Sequence, residues 1–416
     1  MSRLPVVRSL RTVSVIAGVC LVGLTPLSTR AADGAHGPFV PQEAVVDTVA
    51  GRPVVTTEFL RRSGDAGAWR LVEELRLGNV MGDGPEGFGR IHDLAVDRAG
   101  RIYVLDVGSK EVRVFGRDGA YLRTMARDGE GPGEIRYPGT ANQRITWRAP
   151  DQLWISHSRQ KVVLDTSGNE LSRSGGRSLP FVMAGELPMT SKVIATGTDG
   201  SLFSVVDVTA IRSPVDILHH RYVVRSSVSV DHEILPGDTL AIETRPMVVG
   251  GAERRADRRG STTTVNSVRS TPPRFAWTVE GDGTLWLAHR SRYRFEKLTF
   301  TGDTVLTVRM GDVSPLPADG SEFVPILAAL ASSPEGWLWV QRQEPETEGG
   351  STWDVLDNCG RYRATVSAPV GLRRVEVGAG GELHGISSDD LGIDFVHRFR
   401  LLSEVGTAIA EEICSF

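Results

Sequence analysis

A tight turn followed by an apolar residue and a large one recurs six times along this 416-residue chain, and this repeat restricts the fold more than any other feature. The large residue of each copy serves as an anchor, and the six anchors are Tyr103, Trp154, Phe203, Trp286, Trp339 and His384. Four of the five intervals between anchors lie between 45 and 53 residues. A period of this length is typical of small units that stack side by side because none can bury its apolar face alone.

The clearest unit, from Ile91 to Met125, indicates what each copy forms. It contains four short apolar segments separated by turns such as Asp97–Gly100 and Arg117–Gly119. Such turns join antiparallel strands, so each unit predicts a four-stranded sheet. A β-solenoid needs shorter coils, and a two-sheet sandwich would not repeat an aromatic anchor about every 50 residues. The sequence therefore predicts an all-β fold, a six-bladed β-propeller.

The two ends of the repeat region predict how the ring closes. The last unit stops at Phe395–Leu402, one strand short, while an unassigned strand-like segment, Trp69–Leu77, precedes the first unit. We expect this N-terminal strand to complete the last blade, because closure removes an exposed sheet edge.

The first residues carry the features of a secretory signal peptide. Arg3, Arg8 and Arg11 precede the uncharged run Val13–Leu24, which is too short to cross a bilayer, and small residues follow. We expect cleavage near Ala31, a periplasmic or secreted location, and no transmembrane span in the mature protein.

The expected organisation is a signal peptide (1–31), an N-terminal extension (32–66), the propeller (67–403) and a C-terminal tail (404–416). The long third interval is explained by an inserted surface loop over Arg245–Pro273, rich in Gly, Arg and Thr. Two cysteines remain after cleavage, Cys359 and Cys414. In an oxidising compartment they can pair as a disulfide, or they can remain two separate thiols, and the sequence favours neither.

Part of the first unit resembles a known family. Asp97 to Phe115, with an Ile-Tyr-Val strand, an Asp and then Val-Arg-Val-Phe, resembles an NHL-repeat blade. Gly129–Ile135 is similar to a Gly-Pro-Gly-Glu connection common in exported bacterial six-bladed propellers of the NHL-like group. The resemblance is sharp over Ile91–Tyr137 and only a pattern over Gln143–Leu402. It implies the fold and export, but no reaction, since one fold hosts many functions.

Other propellers that are similar at the level of fold include calcium-dependent lactonases and esterases, and metal-dependent lyases, which place ion ligands on their innermost strands. Calcium needs several oxygen ligands together. Here the segment 10 to 13 residues before each anchor, where the innermost strand should begin, carries basic residues in five of the six units. They are Arg90, Arg144, Lys192, Arg274 and Arg373, with Arg374 beside the last.

Two interpretations of these basic residues stay open. They form a ring of positive charge that attracts a carboxylate or a sulfated sugar, or they pair with acids such as Asp93 and Glu134 or lie exposed at the rim. His92 beside Asp93 is a possible ligand or base, although a structural histidine is the more common case. Zinc-type histidine spacings and a nucleophile elbow are missing from the sequence, so we expect no metal and no cofactor.

The preferred hypothesis is a monomeric, non-enzymatic propeller whose funnel face binds a protein, a peptide or an anionic carbohydrate. The balance of 47 basic and 51 acidic residues argues against a nucleic-acid partner. The candidate ligand-binding residues are Arg90, His92, Asp93, Glu134, Arg144, Lys192, Arg274 and Arg373. The alternative is a propeller hydrolase or lyase, similar to lactonases or esterases, in which His92, Asp93 and Glu134 act in the central funnel.

Overall fold

The structure is a computed structural model, and the residues it describes belong to one compact unit, Pro38–Phe416. They are 39–41, 44–57, 59–61, 69–82, 84–137, 143–157, 160–175, 187–197, 199–213, 216–235, 237–256, 262–270, 275–290, 292–310, 326–343, 349–378 and 381–402. The expected signal peptide lies outside them. Within these ranges no helix has the length and apolar character needed to span a membrane.

Six sheets of strands follow one another along the chain, and each is a blade. The strands that precede them are β1 (Phe39–Pro41), β2 (Val45–Val49), β3 (Arg52–Thr57), β4 (Phe59–Arg61) and β5 (Arg70–Leu77). Blade 1 contains β6 (Ile91–Val96), β7 (Ile102–Asp106), β8 (Glu111–Phe115) and β9 (Tyr121–Met125). Blade 2 contains β10 (Arg144–Arg148), β11 (Gln152–His157), β12 (Gln160–Asp165) and β13 (Glu170–Gly175). Blade 3 contains β14 (Leu187–Thr196), β15 (Leu202–Ser213), β16 (Asp216–Ser226), β17 (Asp238–Ala256) and β18 (Thr262–Ser270).

The second half of the ring continues the same antiparallel order. Blade 4 contains β19 (Phe275–Val279), β20 (Leu285–His289), β21 (Arg294–Leu298) and β22 (Thr304–Met310). Blade 5 contains β23 (Leu327–Ser332), β24 (Leu338–Arg342), β25 (Ser351–Leu356) and β26 (Tyr362–Ala368). Blade 6 contains β27 (Arg373–Val377), β28 (Leu383–Ser388) and β29 (Asp394–Leu402). The chain therefore folds as the six-bladed, all-β propeller that the repeat predicts.

The N-terminal strand β5 closes the ring, as the sequence predicts. It pairs antiparallel with β29 and gives blade 6 its fourth strand, with Leu77 opposite Val396 and Arg70 opposite Leu402. The backbone groups at the edge of β29 thereby gain partners, which is the physical reason for joining the two chain ends in one sheet.

Two blades are larger than the repeat predicts. Strand β3 pairs parallel with β22 and buries Val55, so β3 and β2 extend blade 4 to six strands. In blade 3 the segment that we expected to be a surface loop, Arg245–Pro273, instead supplies the end of β17 and all of β18, which pair antiparallel. The Thr and Val residues of Thr262–Val265 favour strand geometry and explain this correction.

A repeated aspartate explains the turns between strands. The Asp97 carboxylate accepts backbone N–H groups of Ala99 and Arg101, each at 2.9 Å. Between them Gly100 has a φ of 78°, a conformation that glycine adopts without steric cost. The turns that begin at Asp357 and Asp389 are built in the same way.

The core lies between successive blades. All six anchors are at most 2% exposed, which confirms that they are packing residues. Tyr103 of blade 1, for example, belongs to one apolar cluster with Leu153 and Ile155 of blade 2. Burial of each large apolar side chain contributes about 1.5–3 kcal/mol, so the repeated anchors hold the ring together and leave its axis open.

Candidate functional site

The first strands of the blades surround a cavity of about 630 Å³ at the centre of the propeller. Its wall carries charge of both signs among the described residues, from Asp93, Arg144, Asp207, Arg221, Arg290, Arg374 and Glu376. Blades 6, 1 and 2 supply four of these side chains, and blades 3 and 4 supply the other three. Blade 5 contributes only uncharged lining residues. We call this cavity the channel.

Blade 6 departs from the other blades at one position of the wall. In every blade the anchor lies opposite one residue of the first strand. In blades 1 to 5 that residue is small, namely Ala95, Thr146, Ala195, Thr278 and Ala331. In blade 6 it is Glu376, and the anchor opposite it is the smaller His384. A large anchor with a small partner is thus exchanged for a small anchor with a large partner, which keeps the packing volume similar and adds a carboxyl group to the channel.

Glu376 is held against the neighbouring blade. Its Oε2 atom accepts the backbone N–H of Val96 at 3.0 Å. Burial, and then the negative charge of Asp93, raise the pKa of Glu376 to about 8, because the Val96 hydrogen bond and the charge of Arg144 offset these effects only in part. With that pKa, Glu376 is mainly protonated at pH 7.

A cluster of charges lies beside Glu376 on the same wall. Arg144 Nη1 lies 3.2 and 3.3 Å from the two carboxylate oxygens of Asp93, and Asp93 also accepts the backbone N–H of Ile145 at 3.2 Å. Arg374 is exposed to the channel. Partial desolvation within the channel, and then the positive charge of Arg144, lower the pKa of Arg374.

The backbone at Arg374 is strained. Its φ is 53°, and a β-bulge interrupts the pairing between Arg373 and Glu376. A residue other than glycine in this conformation costs on the order of 1–3 kcal/mol, and such residues concentrate at functional sites. Arg374 and Glu376, which lie within and at the end of this bulge, both line the channel.

The opposite wall holds a second ion pair and an additional cation. Arg221 Nε donates to Asp207 at 2.8 Å, and His219 Nε2 lies 3.2 Å from the same carboxylate. Burial by itself would raise the pKa of Asp207, but the hydrogen bonds with His219 and Arg221 outweigh it and lower the pKa. Burial also lowers the pKa of Arg290, whose Nε atom has no hydrogen-bond partner within the described part of the chain.

Aromatic rings and hydroxyl groups complete the lining. Trp147, Phe275 and Trp277 contribute rings from blades 2 and 4. Ser332 donates to the backbone oxygen of Val279 at 2.7 Å, which ties the first strand of blade 5 to that of blade 4. The lining thus combines guanidinium groups, carboxyl groups, hydroxyls and flat apolar faces, a mixture that suits a polar organic ligand.

The residues that we selected from sequence take different positions. Asp93 and Arg144 line the channel, whereas Arg90 and Arg373 lie exposed outside the lining set, and Arg373 instead pairs with Asp394 at 2.6 Å. His92 adjoins Asp93 on β6 but does not line the channel.

The three remaining candidate residues, Glu134, Lys192 and Arg274, are not described as part of the channel lining. Glu134 accepts the backbone N–H of Gly131 in its own loop and lies outside the channel lining. For Lys192 the backbone lies in β14, and its side chain is outside the described part. Arg274 is outside the described residues altogether. The wall is therefore of mixed charge. Of the two interpretations of the basic residues, pairing with a nearby acid describes Arg144, which pairs with Asp93.

Cysteine and metal chemistry can be described only in part. Cys359 is buried and disulfide-bonded, and the other cysteines of the chain, Cys20 and Cys414, lie outside the described residues. Its expected pairing with Cys414 stays a prediction. Within the described ranges no group of three or more His, Cys, Asp or Glu side chains is arranged to hold a metal ion.

Blade 6 contains a second polar network, away from the channel. Ser387 Oγ lies 2.7 Å from His397 Nε2, and His397 Nδ1 lies 2.5 Å from Glu73 Oε1. This order of atoms is that of a serine-hydrolase triad. Ser387 is only 5% exposed and His397 1%, whereas the Glu73 side chain is 39% exposed. The network therefore has one end at the surface and connects β28, β29 and the closing strand β5.

Sequence reasoning missed Glu376, Asp207, Arg221 and Arg290. Glu376 could be found by aligning the units on their anchors, because it falls where the other five units carry Ala or Thr. Asp207 and Arg221 lie on the second and third strands of blade 3, and Arg290 follows the second strand of blade 4. These strands approach the axis only once the ring is formed, so a search of first strands alone does not reach them.

Comparison with known proteins supports the repeat. The model of the NHL repeat matches residues 88–115, and no curated protein matches the chain. Solved structures similar to this chain include virginiamycin B lyase from Staphylococcus aureus (11% identity, TM-score 0.40, covering 80% of this chain and 100% of that one). Others are a calcium-binding protein, regucalcin, from Agrobacterium tumefaciens (12%, 0.37, 80% and 97%) and a gluconolactonase from Xanthomonas campestris (12%, 0.41, 75% and 86%). The sheet order makes this chain a six-bladed β-propeller, and residues 88–115 of its first blade match the NHL repeat.

Proposed function

We propose that this propeller binds an acidic glycan, carboxylated or sulfated, in its central channel and leaves it chemically unchanged. One observation carries the proposal. Arg374 and Arg290 both line the channel, and neither has an ion-pair partner among the described residues. Guanidinium groups bind carboxylate and sulfate oxygens through paired N–H donors, so these two cations are suited to an anionic ligand.

The charge of the wall supports this choice. Arg144 and Arg221 are already paired with Asp93 and Asp207, and Glu376 is mainly neutral at pH 7. Glu243 lies near enough to Arg290 to offset part of its charge, whereas Arg374 has no ion pair among the described residues. The positive excess of the wall is therefore greatest at Arg374. In such surroundings of low dielectric constant, a charge attracts an opposite charge more strongly than it does in open water.

The uncharged lining favours a sugar over a simple ion. Trp147, Phe275 and Trp277 offer ring faces, and Thr146, Thr278 and Ser332 offer hydroxyl groups. Ring faces pack against the C–H face of a pyranose while hydroxyls and guanidinium groups bind its polar edge. A cavity of about 630 Å³ accommodates a short oligosaccharide.

Isothermal titration calorimetry with tetra-galacturonate and with a sulfated disaccharide tests the proposal. We expect Arg374→Gln and Arg290→Gln each to weaken binding at least about tenfold, a loss of 1.4 kcal/mol or more. Arg127→Gln is the matched control, because that side chain is 71% exposed and outside the channel lining. Binding that is equal in all three variants contradicts the proposal, and tight binding of an acidic peptide but of neither sugar would reassign the ligand class.

A second candidate function is acid–base catalysis, as in a hydrolase or lyase. It is favoured by the pair Asp93 and Glu376, in which a carboxylate held by Arg144 lies near a protonated carboxylic acid. Two carboxyl groups with different protonation are a recurring basis for general acid–base chemistry. Incubation of the same oligosaccharides with the wild-type protein and with Glu376→Gln distinguishes the candidates. Turnover that is lost in the variant would establish catalysis and overturn the binding-only proposal.

A further inference from the structure

We propose that Glu376 determines the specificity of the channel by acting as a carboxylic acid that donates a hydrogen bond to the acidic group of the ligand, so that the anion is bound together with a retained proton. This inference rests on the proposed function, since it requires that an anion enters the channel. It adds that the channel selects for an anion by means of a proton donor as well as by means of cations.

The placement of Glu376 supports the role. Its Oε2 atom is occupied by the N–H of Val96, and its other oxygen has no hydrogen-bond partner within the described ranges. A carboxylic acid that accepts at one oxygen has the O–H of the other available for a ligand. In the remaining blades the equivalent position carries only Ala or Thr, so at this position a carboxylic acid is supplied by blade 6 alone.

The neighbouring charges explain why the proton matters. Glu376 and Arg374 both face the ion pair of Asp93 with Arg144. If Glu376 were ionised, its charge would repel both Asp93 and the ligand anion. If it is neutral, Arg374 and the Glu376 O–H both interact favourably with the same anionic group. Loss of the proton therefore converts a favourable contact into a repulsive one.

Other charged and titratable groups near Glu376 lie on the elements that surround it. Its own strand carries Arg373 and Arg374, β6 carries Asp93, β10 carries Arg144, β28 carries His384, and the far wall carries Asp207, His219, Arg221 and Arg290. Burial, and then the charges of Arg398 and Arg117, lower the pKa of His384 to about 4. His384 is thus neutral throughout the range from pH 6 to 9.5, in which Glu376 with its pKa of about 8 changes charge.

Sulfate is the probe for the test, because its charge stays constant from pH 6 to 9.5. Its affinity for the full-length protein is measured by calorimetry across this range, in pairs of buffers with different ionisation enthalpies. We expect the wild-type affinity to fall toward tenfold per pH unit above about pH 8, with nearly one proton taken up per sulfate bound at pH 9. Glu376→Gln keeps an N–H donor of the same shape, so it should bind sulfate at pH 6 within about threefold of the wild type and show no fall at high pH.

The outcomes distinguish failure of the role of Glu376 from failure of the proposed function. His220→Gln, a half-buried histidine of blade 3 outside the channel lining, is the control and should keep the pH dependence of the wild type. If sulfate binds and Arg374→Gln weakens it, but wild-type binding is independent of pH or Glu376→Gln retains the fall, the role of Glu376 is overturned while the proposed function stands. If sulfate and the acidic sugars fail to bind at any pH, the proposed function itself fails. The proton count on the wild-type protein decides the matter even if the variant does not fold.

Discussion

At the scale of single residues, one pair of positions sets the channel wall of blade 6 apart from the other blades, because the sizes of its two side chains are exchanged. The pair of Glu376 and His384 replaces the large anchor and small partner of the other blades. The exchange leaves two titratable groups buried side by side, and burial shifts the pKa of each toward its neutral form. Both shifts make the stability of the fold depend on pH, in opposite directions.

Glu376 should destabilise the fold at alkaline pH. Its pKa is about 8 in the folded protein against an ordinary 4.5, so its contribution to stability is complete below pH 4.5 and is lost as the pH rises through 8. Glu376→Gln stays neutral and can still accept the N–H of Val96. We expect the variant to melt about 3 °C or more above the wild type at pH 9 and close to it at pH 4.5, measured by scanning calorimetry. Glu296→Gln, on β21, is the control and should follow the wild type; parallel curves for both variants would contradict the prediction.

His384 should destabilise the fold in acid. Its pKa is about 4 in the folded protein against an ordinary 6.5, so its contribution is complete above pH 6.5 and is lost as the pH falls toward 4. The shift corresponds to about 3 kcal/mol of free energy of unfolding. We expect His384→Gln to reduce the loss of stability between pH 7 and 4, followed by urea denaturation at each pH. His220→Gln, a half-buried residue of blade 3, should leave that loss unchanged, and an equal benefit from both variants would contradict the assignment.

At the scale of elements, turn and strand patterns were readable from sequence where the signal is local. The anchor spacing, the Asp-to-Gly turns and the missing last strand correctly predicted the blades and the closing role of β5. The parallel pairing of β3 with β22 was not predictable. It joins segments about 250 residues apart, and neither segment has a sequence pattern that indicates the other as its partner. The residues of the channel wall on second and third strands were missed for a related reason, since their exposure depends on the closed ring.

Two turns of identical construction test the packing between blades. Gly360 and Gly392 have φ values of 76° and 78° in turns organised by Asp357 and Asp389. A Cβ atom at position 360 would lie 2.3 Å from Val308 of blade 4, whereas at position 392 it would meet nothing within 4 Å.

Alanine at either glycine carries the same backbone strain, about 1–2 kcal/mol. We expect Gly360→Ala to cost about 1–3 kcal/mol more than Gly392→Ala, because only the first forces two blades apart. Urea denaturation of both variants under non-reducing conditions gives the difference. Equal losses of the free energy of unfolding in the two variants would show that this turn of blade 5 does not pack tightly against blade 4.

At the scale of the whole molecule, the candidate site and the closure of the ring share one blade. Arg374 and Glu376 lie on the first strand of blade 6, whose fourth strand is supplied by the N-terminal β5. Glu73 of β5 also ends the polar network that runs through His397 to Ser387. The geometry of the channel wall should therefore depend on a strand about 300 residues earlier in the chain.

Two deletions separate the contribution of ring closure by β5 from that of the preceding strands. Deletion of residues 2–68 removes β1 to β4 and keeps β5, whereas deletion of residues 2–78 removes β5 as well. The second deletion leaves β29 without its ladder partner and removes the buried Leu71 and Leu77, each worth about 2–5 kcal/mol when truncated in a core. We expect it to melt more than about 10 °C below the first deletion, to self-associate through the open edge in size-exclusion chromatography, and to lose sulfate binding. If both deletions melt alike and bind sulfate alike, β5 does not hold the ring, and the channel owes its shape to the contacts between blades alone.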